Sequence, residues 1–439
     1  METKLTRIAE KARENPKLKF TTLVHLINEE TLMAAHMGMP ERKAVGVDGV
    51  SKAEYEANLE VNMKDLVARM KRQAYKPQAV RRVYIPKPGS NKMRPLGIPA
   101  YEDKLVQVTM ARILNAIYEQ DFLGCSYGFR PGRGCHDALK ALNAIIENRP
   151  INYIVDADIK GFFDNVDHKW MMECLKLRIA DPNMLRLIAR FLKAGIVEAG
   201  VSYGTPEGTP QGGVVSPILA NVYLHYVLDV WFYSTVRKHC KGEAHMVRYA
   251  DDFVCCFQYE EDARRFYTAL QNRLKRFNLE IAEEKSQIIA FGRQAEAKSR
   301  AGGKKPKTFD FLGFTHYCSR SKRGKFRVKR KTSNKKYRAS ILRCKEWLKK
   351  HRNMPAPCIW WLIRPKLWGN YRYYGITDNT PMLYKFLYEV EKLFFKWLNR
   401  RSQRKSFDWE KFRLFLKKYP LPTPRIYVNI YDVKGRIFA

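Results

Sequence analysis

An α+β fold is what this 439-residue sequence predicts, on three observations. Short apolar or β-branched runs with the composition of strands occur at 80–86, 151–159 and 246–257, the first ending in a Pro- and Gly-rich turn and the last split by an Ala-Asp-Asp tip. Stretches with apolar residues at helical spacing lie between them. From Arg320 the character changes to basic, aromatic-rich helices.

Taken in order, residues 1–78 carry helical spacing such as Leu23, Leu26, Ile27 and Met33, interrupted by a turn at Gly46–Ser51. Val80–Pro86 is a strand that ends in the turn Pro86-Lys87-Pro88-Gly89-Ser90. A helix follows over about 102–121. Ile151–Ile159 is a short apolar strand carrying Asp156 and Asp158. Helices are expected at 167–194 and 216–240. The stretch Val214–Tyr233 is the most apolar, but Ser216, Pro217, Asn221, His225 and Asp229 make it a buried helix, not a membrane span. Met246–Phe257 reads as strand, Ala-Asp-Asp tip, strand. Residues 261–278 are helical, and short strands surround Gly292 and Gly313. Helices rich in Trp, Tyr and Phe continue to about 405. The best boundary falls at 317–325, giving segments 1–78, 79–317, 318–405 and a tail, 406–439.

Charge narrows the partner. Lys and Arg total 81 against 44 Asp and Glu, for a net +37. A polyanion rewards such a field, because each neutralised phosphate releases counterions. An anionic membrane also would, but the cations are interleaved with aromatics over several elements, not on one amphipathic helix. Residues 320–352 hold 16 Lys or Arg and one acid, Glu346. A solvated basic face of that density repels itself without a partner. The 9 cysteines form no C-x-x-C pair, which gives no support to a zinc ribbon or finger and suits free thiols in a reducing cytosol.

The chemistry-bearing residues are carboxylates. Asp158 closes one strand, and Asp251-Asp252 tips a hairpin between apolar flanks. Adjacent carboxylates there are costly unless a hard cation neutralises them. Asp also favours solvated turns, so Tyr249-Ala250-Asp251-Asp252 alone decides nothing.

Seven blocks in order decide it. They are Val83-Tyr84-Ile85-Pro86-Lys87 with Arg94-Pro95-Leu96-Gly97-Ile98-Pro99; Ser126-Tyr127-Gly128-Phe129-Arg130-Pro131; Asp158 through Asp164-Asn165-Val166-Asp167-His168; Gly208-Thr209-Pro210-Gln211-Gly212-Gly213 with Ser216-Pro217 and Leu219-Ala220-Asn221; Val247 through Asp252; Leu279 through Ser286; and Phe309-Asp310-Phe311-Leu312-Gly313-Phe314. Together they resemble the reverse transcriptases encoded by group II introns, over about 40–405. Leu367-Trp368-Gly369-Asn370-Tyr371 with Tyr373-Tyr374 resembles that family's thumb, or maturase X, signature.

The resemblance implies a right-hand polymerase: helical N-terminal extension, fingers, an antiparallel palm sheet backed by helices, and an α-helical thumb. It implies RNA-templated DNA synthesis with two Mg²⁺ ions, Mn²⁺ able to substitute, on Asp158, Asp251, Asp252 and the Ile159 backbone. Lys87, Arg94, Phe163, Gln211 and Lys285 are expected to meet the dNTP. Phe163 would select deoxynucleotides by clashing with a 2′-hydroxyl, although Phe162 could exchange roles with it. Without this context Lys87 and Arg94 are ordinary surface cations, and Gln211 belongs to a loop-to-helix cap. An unpaired Arg94 in an apolar strand would be costly. Tyr249, Leu312, Gly313, Arg327, Lys329, Arg330, Lys335 and Lys336 are expected on primer and template. Trp368 and Tyr371 are expected in the helix-bundle core.

Expected partners are group II intron RNA, an RNA template with a DNA or RNA primer, target DNA and dNTPs, with no membrane and a cytoplasmic location. Maturase action in splicing and intron mobility follows from the family. Nothing after Tyr419 resembles the endonuclease of many relatives, and with 20 residues following it a DNA-binding region is expected to be absent or rudimentary. Three rivals remain: recruitment of the same chemistry to phage defence or DNA repair, a splicing cofactor without polymerase activity, and an RNA-dependent RNA polymerase, against which Phe163 argues.

Overall fold

The computed structural model describes residues 2–86, 93–198, 201–204, 208, 212–401, 403 and 406–432. Four helices come first: α1 (Glu2–Glu14), α2 (Glu29–Met37), α3 (Lys52–Glu56) and α4 (Leu59–Lys71). Reciprocal caps start two of them, Asn28 with Thr31 and Ser51 with Glu54, satisfying otherwise orphaned N–H groups. Strands β1 (Val80–Pro86) and β2 (Met93–Ile98) form an antiparallel hairpin, followed by α5 (Tyr101–Tyr118), α6 (Cys135–Asn148) and β3 (Tyr153–Asp158).

The expected helix over 167–194 is two, α7 (His168–Lys176) and α8 (Pro182–Leu192). The break lies at Asp181-Pro182. Proline cannot continue a helix but starts one well. Asp181 caps α8 through Asn183 and Met184 N–H, and its other oxygen accepts from Leu23 and Val24 N–H at 2.5 and 2.9 Å. One carboxylate thus starts a helix and ties down the N-terminal segment.

Strands β4 (Ile196–Glu198) and β5 (Val201–Tyr203) complete a four-stranded sheet in the order β2-β1-β4-β5. The long helix expected at 216–240 is present, as α9 (Ser216–Leu224), two wider π turns at 225–229 and 232–236, and α10 (Arg237–His239). Next come β6 (Ala244–Tyr249), β7 (Asp252–Phe257), α11 (Glu260–Arg276), β8 (Gln287–Ala290), α12 (Arg293–Arg300), β9 (Phe309–Phe311), β10 (Phe314–Arg320) and β11 (Phe326–Thr332). Helices α13 (Asn334–His351), α14 (Ala356–Tyr374), α15 (Thr380–Leu398) and α16 (Trp409–Lys418) follow.

The sheet expected to be antiparallel has the order β6-β7-β3-β8 and is antiparallel throughout. Both its faces are covered. Phe253, Cys255 and Phe257 point into a core shared with α5, α7, α9 and α11. Val254 and Cys256 point into a second core, shared with α6, the β9–β11 sheet and α13–α15. Burial on both sides explains why β7 reads as an unbroken apolar run.

Two features escaped the sequence reading. The β10–β11 hairpin contains residues 317–325, where the boundary was expected; the charges of Phe-Arg-Val-Lys-Arg-Lys-Thr hide its alternation. Residues 409–418, expected in a tail, form α16 and bury Phe412.

Candidate active site

The register of the central sheet carries the site. Strand β3 ends on Asp158, β7 begins on Asp252, and the two are paired directly across the ladder. Paired residues in an antiparallel sheet hold their Cβ atoms about 5 Å apart. Side chains alternate along a strand, so Asp156, Asp158 and Asp252 share the face of Ile154 and Val254. Asp251 stands at the tip, after Ala250, whose φ of +58° is a left-handed conformation that a residue with a Cβ adopts only when held there.

A buried network holds it. Arg248 is fully buried and paired with Asp229, from the first π turn, through bonds of 2.7 and 2.5 Å. The same guanidinium donates to the Ala250 carbonyl at 2.9 Å and to Asn221 Oδ1 at 3.0 Å. Asn221 in turn donates to the Gly128 carbonyl at 2.7 Å. A Cβ on Gly128 would sit 2.3 Å from the Ala250 nitrogen, so only glycine lets that loop approach the tip. Three sequence blocks far apart in the chain therefore converge on one turn. Arg248 and Asp229 were not singled out from the sequence.

The carboxylates resist ionisation. Burial, then repulsion from Asp156, Asp251 and Asp158, pushes Asp252 up to about 7, although its tip reaches solvent. Burial raises Asp251 too, with Asp158 adding and Arg94 opposing. Asp156 is raised to about 6, chiefly by burial. Its spacing of two from Asp158 is the sequence signal that puts it on the same face. Asp158 pairs with the Lys285 ammonium at 2.7 Å. Among the described residues no three acidic, His or Cys side chains converge closely enough to ligate an ion as they stand. The donor set nevertheless suits a hard cation: adjacent carboxylates in low dielectric, whose pKa values burial and mutual repulsion raise.

The remaining expected residues divide. Ile159 is buried, its backbone bridged to Ile281. Phe162 is buried in the first core, and Phe163 is only half buried. Gly208 packs on the Phe163 and Asp164 carbonyls, and Gly212 on that of Gly97, at φ of +89° and +114°. Arg94 lies on β2 and is exposed, so the cost argued for burying it does not apply; its charge nonetheless acts on Asp251. Lys87 and Gln211 lie outside the described residues. Tyr249 is half buried against the second core. The Leu312–Gly313 turn, left-handed at both residues, bonds the Asp252 carboxylate through the Leu312 N–H, and Tyr373 donates to the Leu312 carbonyl at 2.8 Å.

In the basic region Lys335 and Lys336 are exposed on the first turn of α13, and Lys329 is half buried. Arg327 engages the Tyr431 hydroxyl and lies near Asp378. Arg330 does not reach a surface strand. It points inward with Val328 and Thr332, fully buried, and donates to Asn143 and the Val328 carbonyl. Tyr371 is core as expected, but Trp368 is not; it faces solvent. Among the described residues no helix is long and apolar enough to cross a membrane.

Comparison with known proteins shows the family to which this fold belongs. Residues 85–316, over half the chain, match the family described as reverse transcriptase (RNA-dependent DNA polymerase), and the chain belongs to that family. Within it the chain is similar to group II intron-encoded proteins. The group II intron-encoded protein LtrA of Lactococcus lactis subsp. cremoris is 41% identical over 222 residues, 50% of this chain and 37% of that protein. Protein YkfC of Escherichia coli (strain K12) is 34% identical over 281 residues, 56% of this chain and 73% of its own. Nuclear intron maturase 1, mitochondrial, of Arabidopsis thaliana is 30% identical over 95 residues, 22% of this chain and 13% of its own.

Proposed function

We propose that the chain is an RNA-directed DNA polymerase that extends a DNA or RNA 3′-end with dNTPs on an RNA template, and that it binds a group II intron RNA as maturase and supports intron mobility into target DNA. The observation that carries the reading is the pairing of Asp158 with Asp252 beside Asp251. Asp158, Asp251, Asp252 and the Ile159 carbonyl would hold two divalent cations, Mg²⁺ with Mn²⁺ as substitute. When bound, these supply a more acidic primer hydroxyl and neutralise the leaving pyrophosphate.

The chain's own groups do the positioning. The half-buried Phe163 ring walls the sugar and excludes a 2′-hydroxyl. Gly208 and Gly212 bring backbone close to the nucleotide. Arg94 offers a cation to the triphosphate, and Lys285 holds Asp158 until a cation replaces it. Lys335 and Lys336 contact the phosphates of the template–primer. The test is extension of a DNA oligomer on an RNA template with Mg²⁺, beside Asp251→Ala. dNTP-dependent product from the parent alone is expected. No product from the parent, or equal product from the variant, overturns the reading.

A further inference from the structure

Helix α14 has three faces. Ala356, Ile359, Ile363, Leu367 and Tyr371 pack into the second core. A second side, with Lys366, Gly369, Asn370 and Tyr373, joins Arg343 and Trp347 of α13 in lining a groove of about 560 Å³ next to the Leu312–Gly313 turn. The third side carries Pro357, Trp361, Arg364, Trp368 and Arg372, at spacings of three and four that make one stripe. At 3.6 residues per turn this stripe points well away from the groove.

The stripe is built like a binding surface. Trp361 is 63% exposed and Trp368 is 39% exposed, which costs apolar surface that a helix bundle would ordinarily bury. The Arg364 guanidinium lies over the Trp360, Trp361 and Trp368 rings at 4.5, 5.4 and 4.8 Å. Trp360 is fixed from behind, its indole N–H donating to the Pro420 carbonyl at 2.9 Å and its ring packed on Tyr419. The cluster is therefore held in place before any ligand arrives. No acidic residue occurs between Glu346 and Asp378, and among the described residues neither Arg364 nor Arg372 makes an ion pair.

We propose that this face of α14 is a stacking platform for unpaired bases of an RNA, separate from the path of template and primer. Flat indoles offer a π-face to any base that is not already stacked in a helix, and the interleaved arginines take the phosphates between them. An acidic peptide would use the arginines but leave the indoles idle. An anionic membrane would use both, but it calls for a helix whose apolar face is free to enter the lipid, and that of α14 is packed in the second core. The assignment rests on the RNA-binding part of the proposed function and says which surface performs it.

The experiment uses the full chain holding a short RNA template annealed to a chain-terminated DNA primer, so that the polymerase cleft is occupied. A labelled RNA hairpin with a single-stranded adenosine loop is titrated in and followed by anisotropy and by quenching of tryptophan fluorescence. A fully paired RNA of equal length, a polyglutamate peptide and phosphatidylglycerol vesicles serve as comparisons. Trp361→Ala/Trp368→Ala should weaken loop binding by about 5- to 150-fold per ring, given about 1–3 kcal/mol per stacked base. The double Phe variant should recover part of it. The melting temperature and extension of a short template–primer should stay at the parental level. Unchanged loop affinity in the Ala variant, an equal loss for paired RNA, or binding of peptide or vesicles in preference to RNA overturns the assignment. Failure of the parent to bind any RNA overturns the broader reading instead.

Discussion

Replacing Arg248 by Met is the perturbation whose cost the structure specifies best. The variant leaves Asp229 fully buried with its cation gone, together with the bonds to Asn221 and the Ala250 carbonyl. Breaking a buried pair from one side costs about 3–5 kcal/mol, because a charge remains without compensation. That is a large share of the roughly 5–15 kcal/mol that holds a protein folded. Arg248→Met/Asp229→Leu removes both charges, and stability should return most of the way, since apolar replacement of a whole pair is often neutral. Activity should not return. The left-handed Ala250 would have lost the donor that fixes its carbonyl, a bond worth about 1 kcal/mol or more, so extension should remain about tenfold down. Urea unfolding and single-turnover extension measure the two effects. Parental stability in the single variant, or parental activity in the double, would refute the reasoning.

Three further outcomes are expected. Phe163→Val should raise NTP use relative to dNTP by about tenfold or more in single-nucleotide incorporation, while an unchanged ratio would return that role to another side chain. Asp252 favours its protonated form when folded, so its contribution to folding is present below its ordinary 3.8 and is lost as pH rises through about 7. Mg²⁺ competes with that proton and should therefore raise the melting temperature more above pH 7 than below it; equal shifts would contradict the assignment. Lys335→Gln/Lys336→Gln should lessen the salt dependence of template–primer affinity by about one logarithmic unit per lysine, and an unaltered slope would take these residues off the phosphates.

Much of this was legible from the chain alone because the site is built on strands. The apolar runs around Asp158 and Asp252 announce buried ladders, and period-two alternation marks Asp156 as a neighbour. Arg248 was illegible for the opposite reason. Its partner Asp229 lies in a π turn of the preceding long helix, and the pair forms only once that helix packs against the hairpin. Arg330 misled because a basic run looks uniformly solvated, whereas strand alternation sends every second residue inward. Trp368 misled in reverse: tryptophan is usually core, and only the packed helix shows which side of α14 remains open. Asp181-Pro182 was a readable stop signal overridden by continuous apolar spacing on either side.

The central claim is that carboxylates from two strands form one cation site. Mn²⁺ binding followed by electron paramagnetic resonance, on protein holding template, chain-terminated primer and the next dNTP, tests it most directly. The account predicts two bound ions in the parent, with loss of binding in both Asp158→Asn and Asp251→Asn while template–primer affinity is kept. Undiminished Mn²⁺ binding in either variant would contradict it.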